Sequence, residues 1–310
     1  MEPVKDFESF YAVVIQPSLD QLDNERLSME NWKRFTLYSG AGAFICFLLF
    51  FLKLLPSGAI LAGTMLLMCV VGVYFWTKYN DQYIDDFKEK IIGQIISYIH
   101  PPAVYKPMGF ISRKEYKASG LYRRRFSHFE GDDYWQGVYN TVDFHCSEIQ
   151  VWREDVAGRE EIFKGLFFCA SISSSFTGCT YIWIKGKAQL PTSIADEHYR
   201  MFPLPEVQKV IIPHEAFNKQ YVVYTNQAQQ AAVILNDNMP DHMLRIKEKL
   251  DKDIVFSFVG GHCYIAIPYD EDLLEPTKKG LRDKEVIKTY FYSILLVFNI
   301  IRKLELNRLT

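Results

Sequence analysis

The sequence predicts an α+β protein: an N-terminal two-helix transmembrane hairpin with flanking amphipathic helices, then a cytosolic domain with a mainly antiparallel sheet and a C-terminal covering helix. Three observations lead there. Two apolar stretches of membrane-crossing length stand close together near the N-terminus, strand-length apolar runs dominate beyond residue 103, and a long amphipathic pattern closes the chain.

The first element is a cytosolic amphipathic helix region over 1–34. Phe7, Phe10, Tyr11 and Val14, then Leu19, Leu22 and Leu27, recur at helical spacing, with Pro17 expected to interrupt the helix. From Phe35 to Leu55 the only charge is Lys53. At about 1.5 Å per residue, some 21 helical residues give about 30 Å, the thickness of a hydrocarbon core. Pro56-Ser57-Gly58 is a natural turn, and Ala59–Trp76, without a charge, is long enough to cross back. The hairpin therefore covers 35–76. The long polar and amphipathic lead does not fit a cleavable signal peptide, so the anchor is expected to persist.

Lys33 and Arg34 precede the first span and Lys78, Lys88 and Lys90 follow the second, against Lys53 alone beside the turn; this asymmetry places both termini in the cytosol. Trp32, Tyr74, Trp76 and Tyr79 fit interfacial aromatics on that side. Ser39, Gly40, Ala41, Gly42, Ala43, Gly63 and Gly72 would allow close helix approach or contacts between copies. Over 77–102, Ile84, Phe87, Ile91, Ile95 and Tyr98 form a juxtamembrane stripe that stops at His100-Pro101-Pro102, and the two flanking helices are expected to pair as a short stalk.

The cytosolic domain, 103–310, reads as strands at Val138–Trp152, Ile162–Ile172, Thr180–Lys185, Val207–Ile212 and Gln220–Thr225, with Ala231–Leu235 as a further candidate. Ile254–Val259, Gly260-Gly261 and His262–Pro268 form a hairpin, because Gly-Gly supplies the positive φ of a two-residue turn. Pro240–Leu250 and Asp283–Leu304 read as helices. The apolar part of the last, Thr289–Ile301, is too short to cross a bilayer and is bounded by Lys288, Arg302 and Lys303, so it is expected to cover the sheet.

A net charge of −2 leaves no basic footprint for nucleic acid. The six cysteines lack CxxC spacing and suit buried thiols in a reducing compartment. No P-loop, GxGxxG, GxSxG or HExxH pattern occurs, so no catalytic residue and no cofactor is assigned. His145-Cys146 and His262-Cys263 could suggest zinc, but adjacent strand residues point to opposite faces, and no metal is assigned. Glu130, Asp132, Asp133, Asp143 and Glu148 could form a carboxylate dyad or hard-cation site, yet no nucleophile or His is placed to work with them. Arg113, Lys114, Lys117, Arg123, Arg124 and Arg125, interleaved with Tyr116, Tyr122 and Phe126, are candidates for contact with anionic lipid; the alternative is a solvated loop paired with the acids that follow.

The chain resembles the bacterial membrane family known as domain of unknown function 3137. The resemblance runs through Ile15-Gln16-Pro17 to Glu25-Arg26, Ser119-Gly120-Leu121, Gly131-Asp132-Asp133 to Gly137, and Glu161-Ile162-Phe163-Lys164-Gly165-Leu166-Phe167-Phe168. It continues in Phe217, Tyr221-Val222-Val223-Tyr224, Ala231, Tyr264-Ile265-Ala266-Ile267-Pro268 and Leu304-Glu305-Leu306-Asn307. It implies a two-span anchor in the cell inner membrane or plasma membrane with a cytosolic domain, and no established activity.

The expected function is a non-catalytic interaction or scaffolding module whose partners are the lipid bilayer and another protein or a second copy. Some of the chain's nineteen tyrosines and twenty-three phenylalanines would then form an exposed patch. The alternatives are a sensor of anionic lipid or small ligand, and an enzyme with an unrecognised site.

Overall fold

The computed structural model describes residues 7–156, 158–188, 206–236, 238–276 and 283–309; the other parts of the expected segments 1–34 and 103–310 lie outside the described residues. The chain forms two units, one of residues up to Tyr98 with Glu275–Lys288, the other of Ile99–Leu274 with Thr289–Thr310.

The first unit is built on α1 (Phe7–Phe51) and α2 (Gly58–Ile99, whose last residue belongs to the second unit), both long and apolar enough to cross a membrane. Only 11% of the apolar stretch of each is buried. Pro17 does not interrupt α1. A π-helical turn at Tyr11–Ile15, closed by the Gln16 amide on the Tyr11 carbonyl, widens the helix before the proline and relieves the clash its ring would make with the preceding turn. At its other end α1 stops in a Schellman arrangement: Lys53 takes φ 57°, its amide bonds Phe50 O at 2.9 Å, and the Leu54 amide bonds Leu49 O at 2.9 Å.

The flanking stripes belong to the same continuous helices as the apolar stretches rather than to separate ones. Phe7, Phe10, Leu19 and Leu22 of α1 and Tyr83, Phe87, Ile91 and Ile95 of α2 are buried, and Phe10 stacks on Tyr98 at 4.2 Å. Thr36, Ser39 and Ala43 are buried on α1, and Gly72 of α2 abuts Thr36, whereas Gly63 has no neighbour within 4 Å of where a Cβ would stand. Lys88, expected as an interfacial cation, is instead buried and pairs with Glu275 at 2.6 Å, and Lys284 pairs with Glu8. These two ion pairs attach Glu275 and Lys284 to the two long helices.

Among the described residues the second unit is built on a nine-stranded antiparallel sheet in the order β1-β2-β3-β4-β9-β8-β5-β7-β6. The strands are β1 Val104–Lys106, β2 His128–Tyr139, β3 Val142–Asp155, β4 Gly158–Ser171, β5 Cys179–Ile184, β6 Gln208–Val210, β7 Tyr221–Thr225, β8 Val255–Val259 and β9 His262–Pro268. The remaining helices among the described residues are α3 (Arg113–Ala118), α4 (Glu215–Gln220), α5 (Ala228–Ile234), α6 (Met239–Leu250) and α7 (Lys284–Lys303), followed by a 3-10 turn at Leu306–Arg308.

Two sequence expectations for the sheet domain change. The run Val138–Trp152 is not one strand: Asn140 and Thr141, at φ 50° and 68°, make a two-residue turn between β2 and β3, and β2 begins at His128. Its polar, glycine-containing first half, with a bulge between Asp132 and Trp135, hides the strand from a hydrophobic-pattern reading. Ala231–Leu235 falls in α5, where Ala231 and Ile234 are buried one turn apart; a short apolar run does not by itself separate helix from strand. The Gly260-Gly261 hairpin forms as the sequence indicates, with φ 56° and 79°.

Strand alternation gives the sheet two faces. One carries Phe144, Cys146, Phe168, Cys263 and Ile265, and the Thr289–Lys303 part of α7 packs there, with Phe298 edge-on to Phe144 at 5.4 Å. The other carries His145, Phe167, Cys169, Tyr264, Ser257, Tyr181 and Trp183, beneath the segment Ile111–Leu121.

Candidate functional site

The polar-lined face is assembled by that covering segment. Ser112 caps α3 by accepting from the Glu115 amide at 3.2 Å, and Ile111 is anchored by its amide on Ser147 Oγ at 3.1 Å. Ser119-Gly120-Leu121 then lies flat on the sheet. Ser257 Oγ donates to Ser119 O at 2.7 Å and Trp183 Nε1 donates to Leu121 O at 3.0 Å. Gly120, at φ 66°, passes over the Tyr181 ring so closely that a Cβ would stand 2.6 Å from Cε1.

Within this face the strand register sets His145 opposite Cys169 and Cys169 opposite Tyr264. Glu115 reaches down from α3, its carboxylate bonded to His145 Nε2, and the Cys169 thiol bonds the same carboxylate. The ligand-capable atoms of Glu115, His145 and Cys169 all lie within 4.8 Å of one another. Burial pulls the Glu115 carboxyl upward, but the His145 and Cys169 hydrogen bonds and the His145 charge outweigh it and leave it below its ordinary value. Burial, then the adjacent carboxylate, pushes the Cys169 thiol up, and the residue is wholly buried. Such a thiol is not a poised nucleophile. Solvent reaches His145 from a cleft of ≈ 340 Å³ lined also by Gln136, Asp143 and Phe144.

The sequence pairs His145-Cys146 and His262-Cys263 divide as strand alternation dictates. Cys146 and Cys263 are buried on the α7 face, and His262 lies on the other, its Nδ1 3.0 Å from Gly260 O. No pattern in the sequence pointed to Glu115 or Cys169, because their meeting with His145 depends on register and on the path of the covering segment. The Ser112-x-x-Glu115 capping signature is the one local trace of it. Of the carboxylates singled out from sequence, Asp133 sits at the β2 bulge with Tyr105 Oη on its carboxylate, and Glu148 is buried on the α7 face, accepting from the Leu273 amide at 2.9 and 3.1 Å. Burial, opposed by that amide and reinforced by Asp133, Asp132 and Asp272, pushes the Glu148 carboxyl up to about 8.

The basic segment is not a single surface. Arg113, Lys114, Arg124 and Arg125 are exposed and Lys117 is half-buried over the Phe126 ring. Arg124 pairs with Glu160, and Arg123 is only 6% exposed, a correction to its expected place among surface cations, since its side chain enters the domain interior beside Tyr181.

A second concavity, ≈ 610 Å³, lies beside β6, the edge strand among the described residues, and is lined by Val210, Ile211, Ile212, Ala231, Leu235 and Pro240 among others. His214 stands in its wall with both ring nitrogens engaged: Nδ1 accepts from the Phe217 amide at 3.1 Å, capping α4, and Nε2 is 3.0 Å from Asp241 Oδ1. With no free lone pair it serves as a structural bracket rather than a general base. Ile211 is 82% exposed and Val233 53%. Outside α1 and α2 the exposed large apolar side chains are mainly aliphatic, with Phe110 and Tyr292 the aromatic ones among the described residues, so the expected exposed aromatic patch is not formed by the described residues of the domain.

Residues 161–306 match a family described as "Protein of unknown function (DUF3137)". Over that span the chain is similar to this family. The DUF3137 region takes in β4 to β9 and α4 to α7, and with them Cys169 and the ≈ 610 Å³ cleft, while Glu115 and His145 precede it. The crystal structure of the mycobacterial trehalose monomycolate transport factor A, TtfA, is a solved structure similar to this chain, with 9% identity and a TM-score of 0.33 over 68% of this chain and 95% of that one. An overlap so loose transfers neither fold detail nor role. No curated protein matches the chain in sequence.

Proposed function

We propose that the chain is a membrane-anchored, non-catalytic interaction module. In this reading the hairpin of α1 and α2 crosses the bilayer within 35–55 and 59–76, both termini are cytosolic, and the sheet domain is offered to a protein partner on that side. The low burial of the two apolar stretches and the cations Lys33, Arg34 and Lys78 at their ends support the anchor and its direction. The single observation that carries the interaction reading is the apolar cleft beside β6. An edge strand with a neighbouring apolar groove is a surface on which an added strand or apolar helix loses little and buries much. A photo-crosslinking residue at Ile211 in the full chain, in intact cells, is expected to yield an adduct of discrete mass that the same probe at Val156 does not. A mass of two copies identifies self-association, another discrete mass a different partner, and no adduct overturns the reading.

The exposure of Arg113, Lys114 and Arg125 favours a second reading, contact with anionic headgroups. An environment-sensitive dye on a Lys114→Cys variant in proteoliposomes should shift when anionic lipid replaces zwitterionic lipid and revert in high salt; a signal indifferent to lipid charge counts against it.

A further inference from the structure

We propose that Glu115, His145 and Cys169 form a binding site for a borderline-soft divalent metal ion of the zinc class. The three side chains supply one oxygen, one nitrogen and one sulfur, the ligand types zinc combines in its tetrahedral sites. With metal–ligand bonds of about 2.0–2.3 Å, ligands in such a site stand about 3.3–3.8 Å apart. Here the three candidate atoms already lie within 4.8 Å of one another, so side-chain adjustment suffices to close the set.

The supports are stiff. His145 and Cys169 are cross-strand partners on two interior strands of the sheet, and Glu115 projects from a helix capped by Ser112 and followed by the Ser119–Leu121 clamp. The choice of thiol is geometric: Cys146, next to His145 in sequence, and Cys263, next to Tyr264, face the other side of the sheet. The ion would replace the direct Glu115–His145 bond by a shared ligand. It would displace the thiol proton of Cys169 to solvent, and His145 would bind through Nε2 with its ring proton on Nδ1. His145 and Glu115 keep about a quarter of their side-chain surface exposed, at 26% and 25%, and the ≈ 340 Å³ cleft opens on His145, so a fourth position is left for water or a ligand atom. Three protein ligands and one open position would let the ion take up an exogenous ligand, unlike a closed four-ligand structural zinc site.

The test uses the full chain in detergent, stripped with a chelator and titrated with cobalt(II). One equivalent should bind with the strong visible absorption of tetrahedral cobalt and a sulfur-to-metal charge-transfer band, and zinc should displace it. Cys169→Ser should lose the charge-transfer band, and Cys146→Ser should keep it. No band in the unmodified protein, or a band that survives Cys169→Ser, overturns the site. His145→Asn is the second variant in case Cys169→Ser does not fold: it should lose the one-to-one binding, and retention of that binding overturns the site as well.

Discussion

Glu115 and Glu148 stand on opposite faces of the same sheet, and their acidities move in opposite directions. Glu115 lies on the face crossed by Ile111–Leu121, where His145 and the Cys169 thiol reward the charged form. Glu148 lies on the face packed with Phe144, Phe168 and the end of α7, where a backbone amide is its hydrogen-bond donor and three further carboxylates are near. Burial opposes charge at both sites; the difference is whether a partner is supplied. One face of the domain is therefore built to exclude charge and the other to hold it.

The largest expected effect tests the charge-excluding face. Phe168 is fully buried between Cys146 and Ile265 on neighbouring strands, and Phe168→Ala should cost about 3–5 kcal/mol in denaturant unfolding of the detergent-solubilised chain. A loss below about 1 kcal/mol would mean that this face is loosely packed and that the two faces do not differ in this way.

Next comes the pH dependence. Glu148, at about 8 in the folded chain against 4.5 for an ordinary glutamate, binds its proton more tightly when folded. Its contribution to stability is thus full below the ordinary carboxylate range and falls as pH rises from there to about 8. Glu148→Gln keeps an acceptor for the Leu273 amide without the charge. It should flatten that decline and leave the variant more stable than the parent at about pH 8, by about 1.4 kcal/mol for every tenfold difference in proton affinity between the folded and unfolded chains that the substitution removes. Glu115 carries the opposite sign, stabilising above the ordinary carboxylate range and losing that contribution as pH falls below it. Melting temperatures of the parent and Glu148→Gln, compared from about pH 5 to about pH 8, decide the point.

The smallest effect sharpens the other face. Gly120→Ala places a Cβ against Tyr181 in a left-handed backbone position and should destabilise by about 1–3 kcal/mol, loosening the Ser119 and Leu121 bonds to Ser257 and Trp183. The indole environment of Trp183 gives the readout, since a tryptophan fluorescence change without unfolding marks release of the clamp.

Legibility in the sequence followed the range of the interactions. The two apolar helices, the Gly260-Gly261 turn and the helices Met239–Leu250 and Lys284–Lys303 depend on residues within a few positions of one another, and local patterns announce them. The π turn that carries Pro17 through α1 was harder to see, because it depends on how the helix relieves a clash rather than on propensity. Strand β2 was hidden by its own polarity, and α5 by its short length. The candidate site was legible only in negative form, since strand alternation already separates His145 from Cys146.

By itself, then, the sequence determined the pair of membrane-length helices, the strand-rich character of the rest, the closing helix and the face each strand residue takes, because periodicity and chain length act locally. Tertiary structure decided which residues meet. Glu115 comes to His145 and Cys169 across 30 and 54 positions, Glu148 loses its solvent to the loop at Leu273, and Ile211 is left outside the core at the sheet edge. Those outcomes follow from strand order, register and the course of a covering segment, which are settled by the free energy of the whole packed domain and leave no mark on any short stretch of chain.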